Sequence, residues 1–261
     1  MRQALTILRH TLLDGLRSRM VFGMGGFFAL AGWLMLRLGG SSDKALLSLL
    51  SLSLALVPLV GLAYGASHFY QARRFMELML AQPVPRRTLF LGLYAGLSLP
   101  LAVSWALGVA LPLLASGLLA DPTPLLLLLG AGVGLTLVFC AVAFWIAVAV
   151  ENRLLGLGLA IVAWLALAIG WDGLILLLSY QLADYPLEGP VLALCLANPI
   201  DLARLLVLLR FDLGALMGYT GAVFRTFFQG PLGIGLAAAA LAAWVVLPLS
   251  LAWRGFRRKD F

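Results

Sequence analysis

The sequence predicts an all-α polytopic integral membrane protein, and three observations predict it. Hydrophobic residues make up 63% of the 261-residue chain and charged residues only 11%, where ordinary soluble domains carry about a quarter charged. Mean hydropathy is +1.05, and a soluble fold this size could not hide so much apolar surface. Apolar runs long enough for a hydrocarbon core of about 30 Å recur six times along the chain.

Residues 1–19 come first. Leu5, Leu8, Leu12 and Leu16 recur at helical spacing, with Ile7 and Leu13 widening the face, while Arg2, Arg9, His10, Arg17 and Arg19 supply a polar side. That pattern predicts an amphipathic helix lying in the membrane interface. The first apolar run begins only near Met20 and no small-residue cleavage site precedes a soluble part, so a cleaved signal peptide is not expected.

The spans follow in order. Met20–Leu38 is the first and ends at Arg37; Ala45–Ala66 is the second. Arg87–Leu119 contains the third, longer than needed and expected to be broken by Pro100 and Pro112. Leu125–Val150 is the fourth, Leu154–Tyr180 the fifth, and Gly230–Trp253 contains the sixth. Glycines at 23, 25, 26, 130, 132, 134, 156 and 158 lie within these runs and are read as places of close helix packing.

Basic residues set the expected topology. With the N-terminus inside, the inner side takes Arg2, Arg9, Arg17, Arg19, Arg73, Arg74, Arg86, Arg87, Arg153, Arg254, Arg257, Arg258 and Lys259; the outer side takes Arg37, Lys44, Arg204, Arg210 and Arg225. Thirteen of eighteen basic residues inside fits six spans with both termini in the cytoplasm. The net charge of +7 is then assigned to anionic lipid headgroups rather than to nucleic acid.

Two connections stand out. Residues 67–88 carry QARRFMELMLAQPVPRR between two spans. The spacing predicts a cytoplasmic helix of three or four turns, ended by Pro83 and Pro85. Phe75, Met79, Leu78 and Leu80 offer apolar contacts among Arg73, Arg74 and Glu77, and Arg86 and Arg87 stand where the third span enters the membrane. Such a segment suits either a lipid-surface helix or a docking helix for a soluble partner. Residues 181–229, interrupted by Pro186, Pro190 and Pro199, form neither a clean span nor a simple loop and are placed extracytoplasmic, resting on or re-entering the outer face, with a seventh span as the alternative. Within them a short helix is expected from Asp201, with Asn198 as its cap and Pro199 in the first helical position, and Asp201 and Arg204 spaced to pair. Asp172 is the one charge within the fifth span; it faces interfacial water or pairs with a basic group such as Arg37.

Chemistry is sparse. The two histidines, His10 and His68, stand far apart, and no metal-protease, hydrolase or phosphate-loop motif is present. Cys140 and Cys195 form no disulfide framework or metal box. Met76 and Met79, soft ligands three residues apart, fall short of a coordination set and are read as packing residues. No catalytic, cofactor-binding or metal-binding residue is therefore assigned.

The order of an interfacial helix, two spans, a cytoplasmic helix ending MELMLAQPVPRR (Met76 to Arg87), then four spans resembles the permeases of the ABC-2 class of ATP-driven transporters. Within that class TLLDGLRSRM (Thr11 to Met20) and NPIDLARLL (Asn198 to Leu206) are similar to the NosY-type permeases of nitrous oxide reductase maturation. The resemblance implies an inner-membrane permease that binds no ATP itself and pairs with a second copy. It further implies two copies of a cytoplasmic ATPase of NosF type, seated on Arg73, Arg74, Phe75, Glu77, Met79, Arg86 and Arg87, and a periplasmic partner of NosD type in a copper-supplying pathway. Asn198, Pro199, Asp201 and Arg204 would shape the partner or dimer face. Relatives usually carry acidic residues and a Gly-Thr before the leucine-rich phrase, whereas here the run YGASHFYQARRFMEL is basic and keeps only Glu77. A permease of this class for a lipid, peptide or drug, and a membrane scaffold or enzyme without ATPase coupling, are the other readings.

Overall fold

A computed structural model describes residues 18–39, 41–81, 85–117, 121–181, 188–208 and 231–259. The expected interfacial helix over residues 1–19 falls almost wholly outside the described residues, as do parts of the extracytoplasmic segment, Arg210 and Arg225 included. The described elements are helical throughout: α1 Arg19–Gly39, α2 Ser42–Gln71, α3 Arg73–Leu80, α4 Arg86–Ala115, α5 Thr123–Ala149, α6 Arg153–Leu165, a π-turn Ala166–Gly170, α7 Trp171–Gln181, α8 Glu188–Ala197, α9 Pro199–Leu208 and α10 Pro231–Arg258. Six spans result: α1, α2, α4, α5, the run from Arg153 to Leu178, and α10.

Local chemistry explains the helix starts. Asp121 Oδ1 accepts from the Thr123 amide at 2.9 Å and from its hydroxyl at 2.6 Å, just ahead of α5. Asn152 caps α6 by accepting from the Leu154 and Leu155 amides at 2.9 and 3.4 Å. Both satisfy amides that a helix start leaves orphaned.

Pro100 and Pro112 do not break the third span, contrary to the sequence expectation: α4 runs unbroken from Arg86 to Ala115. Membrane helices tolerate proline where neighbouring helices support the freed backbone, and Pro100 is buried. The second span is also longer than expected, since α2 continues through Ser67 to Gln71. The chain then opens at Ala72, where ψ is near zero (−4°), so the predicted helix over 67–88 is two pieces: the last turn of α2 and the two-turn α3.

The fourth span, α5, is the axis of the bundle. It is apolar on all sides, as a central helix must be, and packs against α2, α4, α9 and α10. α1 lies on α4, and α6 lies on α2. Two glycines set the closest approaches. The fully buried Trp105 indole lies directly on Gly132 of α5, and the Tyr70 hydroxyl covers Gly156 of α6. Gly25 likewise meets Ser104 and Gly108 across the α1–α4 seam. Gly23, Gly26, Gly130 and Gly158, predicted to pack closely, face open space instead; they lie on the exposed arcs of their helices, with no described residue opposite them.

One end of the bundle carries Arg86, Arg87, Glu151, Arg153, Arg254, Arg257, Arg258 and Lys259. The Ser18–Tyr64 hydroxyl pair, 2.7 Å apart, puts the start of α1 at this same end.

Candidate functional site

The charged end holds the first group of predicted site residues. Two turns make α3, and they sort its side chains sharply. Met76 is fully buried, and Met79 and Leu80 pack inward against the core. The opposite face presents Arg74, Phe75, Glu77 and Leu78, all exposed; Phe75 and Leu78 are 39% and 68% exposed. These four positions lie within one helical arc. A short helix thus plugs into the bundle by one methionine and offers an amphipathic knob on the other side.

The structure divides the predicted coupling residues accordingly. Arg73 turns toward the bundle, its guanidinium 5.3 Å from the Tyr70 ring centre, a cation–π distance. Arg86 is also drawn inward: Nη1 donates to the carbonyls of Arg257 at 3.0 Å and Lys259 at 3.1 Å. It caps the last turn of α10, whose end carbonyls lack helical partners. Arg87 faces outward.

Three contacts not foreseen in the sequence complete this end. The Tyr70 hydroxyl donates to the Val150 carbonyl at 2.7 Å, tying α2 to the turn between the fourth and fifth spans. Lys259 pairs with Glu151 of that turn at 3.3 Å. Arg153 donates to Ser67 Oγ at 3.4 Å. A tyrosine closing an amphipathic face was the available signal for Tyr70; the Glu151–Lys259 pair spans 108 residues of sequence and has none.

At the other end, Asn198, Pro199, Asp201, Arg204 and Asp172 converge. Pro199 opens α9 as predicted, and Asn198 Oδ1 accepts from the Ile200 amide at 3.0 Å. Asn198 Nδ2 reaches two acceptors, Asp201 Oδ2 and the Leu167 carbonyl, each at 2.9 Å. Leu167 sits in the π-turn, where the widened ladder leaves carbonyls open to outside donors. Arg204 bridges the two acids, 3.3 Å from Asp172 and 3.2 Å from Asp201. Asp172 thus pairs with Arg204, not with Arg37, which lies instead over the Trp33 ring at 5.4 Å.

The hydrogen bonds give the cluster its depth. Leu167 is about 21 Å and Asp172 about 28 Å along the helix from Arg153, at 1.5 Å per residue. Trp171 Nε1 donates to the Leu194 carbonyl at 3.1 Å, so α8 runs antiparallel to α7 and descends to Asn198. Helices α8 and α9, ten residues each, are too short to cross. They form a hairpin tucked into the bundle, with Ile200, Leu202, Ala203 and Val207 buried. Two carboxylates share one guanidinium there. The Asp201 carboxyl is raised to about 6: burial pushes it up most, Arg204 pulls it down, and nearby Asp172 pushes it up.

A family model for ABC-2 family transporter proteins matches residues 5–261. The chain belongs to the ABC-2 transporter family. Among its relatives are two proteins named "probable ABC transporter permease protein NosY". That of Stutzerimonas stutzeri is 30% identical, over 99% of this chain and 99% of its own length. That of Pseudomonas aeruginosa is 32% identical, over 97% of this chain and 98% of its own. This ABC-2 permease is accordingly the membrane subunit of an ABC transporter, and its family implies a separate subunit that binds ATP.

Proposed function

We propose that the charged end of this permease faces the cytoplasm and that α3 seats an ATP-hydrolysing subunit. The observation that carries this reading is the outward arc of Arg74, Phe75, Glu77 and Leu78 above the buried Met76. Nucleotide closure would push this knob. The push would spread through Tyr70–Val150, Arg86–tail and Lys259–Glu151 to the ends of all four later spans. Two copies of the chain with two ATPases make the moving unit, and the helix bundles are its bistable element.

The full-length similarity to the two NosY permeases, together with the NPIDLARLL phrase, supports a finer reading: a role in copper-site maturation of nitrous oxide reductase, with an ATPase of NosF type and an extracytoplasmic partner of NosD type. The hairpin α8–α9 would then shape the far face for that partner or for the dimer seam. The test is a pull-down of the tagged chain from solubilised native membranes, with every bound subunit identified. Recovery of an ATPase and a periplasmic repeat protein supports the whole reading. An ATPase alone leaves an exporter of another cargo, and no ATPase overturns the coupling role.

A further inference from the structure

Arg86 and Arg87 are adjacent and face opposite ways. Arg86 is consumed by the tail carbonyls. Arg87 is exposed and makes no ion pair or hydrogen bond among the described residues. It stands at the mouth of a groove of about 190 Å³ between the third and sixth spans. Phe90 and Trp253, ring centres 5.7 Å apart, form the floor near the charged end; Leu91, Val246 and Leu249 wall the apolar part.

The helix α10 side of the groove continues toward the charged end. Val246, Leu249, Trp253 and Arg257 follow at spacings of three and four, so they share one face. Arg257 is exposed as well, so a second arginine stands on the groove's helix face toward the charged end. Among the described residues no carboxylate lines the groove, and Glu151 at this end is paired with Lys259.

We propose that this groove is a binding site for one anionic glycerophospholipid. An acyl chain lies against Leu91, Val246 and Leu249. The ester region sits beside Trp253, whose amphipathic ring suits the headgroup level. The phosphate is held by Arg87, with Arg257 behind it, in charge-assisted hydrogen bonds. A second copy of the chain is a poor occupant. A twofold contact uses the same patch of both copies, and so gathers four arginines, Arg87 and Arg257 from each, into one seam. A zwitterionic headgroup brings its own cation to two arginines; an anionic one does not.

The test uses the purified full chain, equilibrated with vesicles of four parts phosphatidylcholine to one part phosphatidylglycerol and analysed by native mass spectrometry. One phosphatidylglycerol per chain is expected to survive in preference to phosphatidylcholine. Arg87→Gln lowers that retention about fivefold, the loss of one basic contact to an anionic headgroup. Leu91→Trp, which fills the groove, does the same; Val246→Phe serves if the first variant loses its thermal transition. Arg153→Gln, at the same end but on the fifth span, where it donates to Ser67, leaves retention unchanged. The proposal is overturned if Arg87→Gln retains phosphatidylglycerol like the parent, if filling the groove has no effect, or if Arg153→Gln loses as much as Arg87→Gln. A lipid-free dimer cross-linked through Leu91→Cys overturns it equally.

Discussion

Asn198 donates through Nδ2 to the carbonyl of Leu167, 2.9 Å away, and so fastens the α8–α9 hairpin to the one π-turn among the described helices. The same side chain caps α9 and holds Asp201. Removing it leaves a cap amide and a carbonyl without this partner at a buried point, and Asp201 with Arg204 alone. Asn198→Ala is expected to destabilise the protein by about 2–3 kcal/mol, the sum of a lost cap and an unmet buried group. Asn198→Ser keeps a capping oxygen and loses the donation to Leu167 and Asp201, so its thermal midpoint in detergent should fall between the parent and Asn198→Ala. Equal midpoints for all three proteins would refute the clamp.

Asp201 makes stability depend on pH in an unusual direction for an acid. Its folded value, about 6, lies above the ordinary 3.8. The folded state therefore takes up a proton that the unfolded chain does not bind until lower pH, and stability rises as pH falls through about 6. The thermal midpoint should increase from neutral to mildly acid buffer, and Asp201→Asn should flatten that part of the profile. A midpoint that falls in the parent and the variant alike would count against it.

The outward arc of α3 separates coupling from folding. Arg74→Glu with Glu77→Lys, or Leu78→Asp alone, is expected to reduce stimulation of the partner ATPase about tenfold, an effect of about 1.4 kcal/mol, with the permease's own thermal transition unmoved. Met76→Ala should do the opposite first: it empties a fully buried site at a cost of about 2–4 kcal/mol. Reconstituted complexes with measured ATP turnover, alongside thermal scans of the permease, check both halves.

Gly132 and Gly130 sit two residues apart and should respond differently to alanine. A methyl at Gly132 would overlap the Trp105 ring, while Gly130 faces open space. Gly132→Ala is expected to cost about 1–3 kcal/mol as an overpacked seam. Gly130→Ala should be neutral or slightly stabilising, by less than about 1 kcal/mol. Unfolding of the two variants under identical detergent conditions distinguishes them.

Much of this was legible in the sequence because it is local. Six apolar runs, the Asn198 cap, Pro199 at the start of α9 and the Asp201–Arg204 pair all depend on residues within a few positions of one another. What stayed hidden depends on how distant segments meet. Asp172 and Arg204 lie 32 residues apart, and only the hairpin's descent along α7 brings them together, so Arg37 looked an equally fit partner. The coupling residues form one basic cluster in sequence. Met76 decides which of them turn in, by choosing the face that α3 buries. Glycine in an apolar run marks a possible close approach, but whether protein or lipid stands opposite it is a property of the bundle.

The bond from Arg86 to the carbonyls of Arg257 and Lys259 joins residues 171 and 173 positions apart. The arginine leaves the ribosome long before those carbonyls exist. Biosynthesis therefore imposes a sequence of events: the early half inserts with one of its anchors still vacant, and only arrival of the last span locks it. A chain stopped short of the sixth span would hold Arg86 without either of these acceptors.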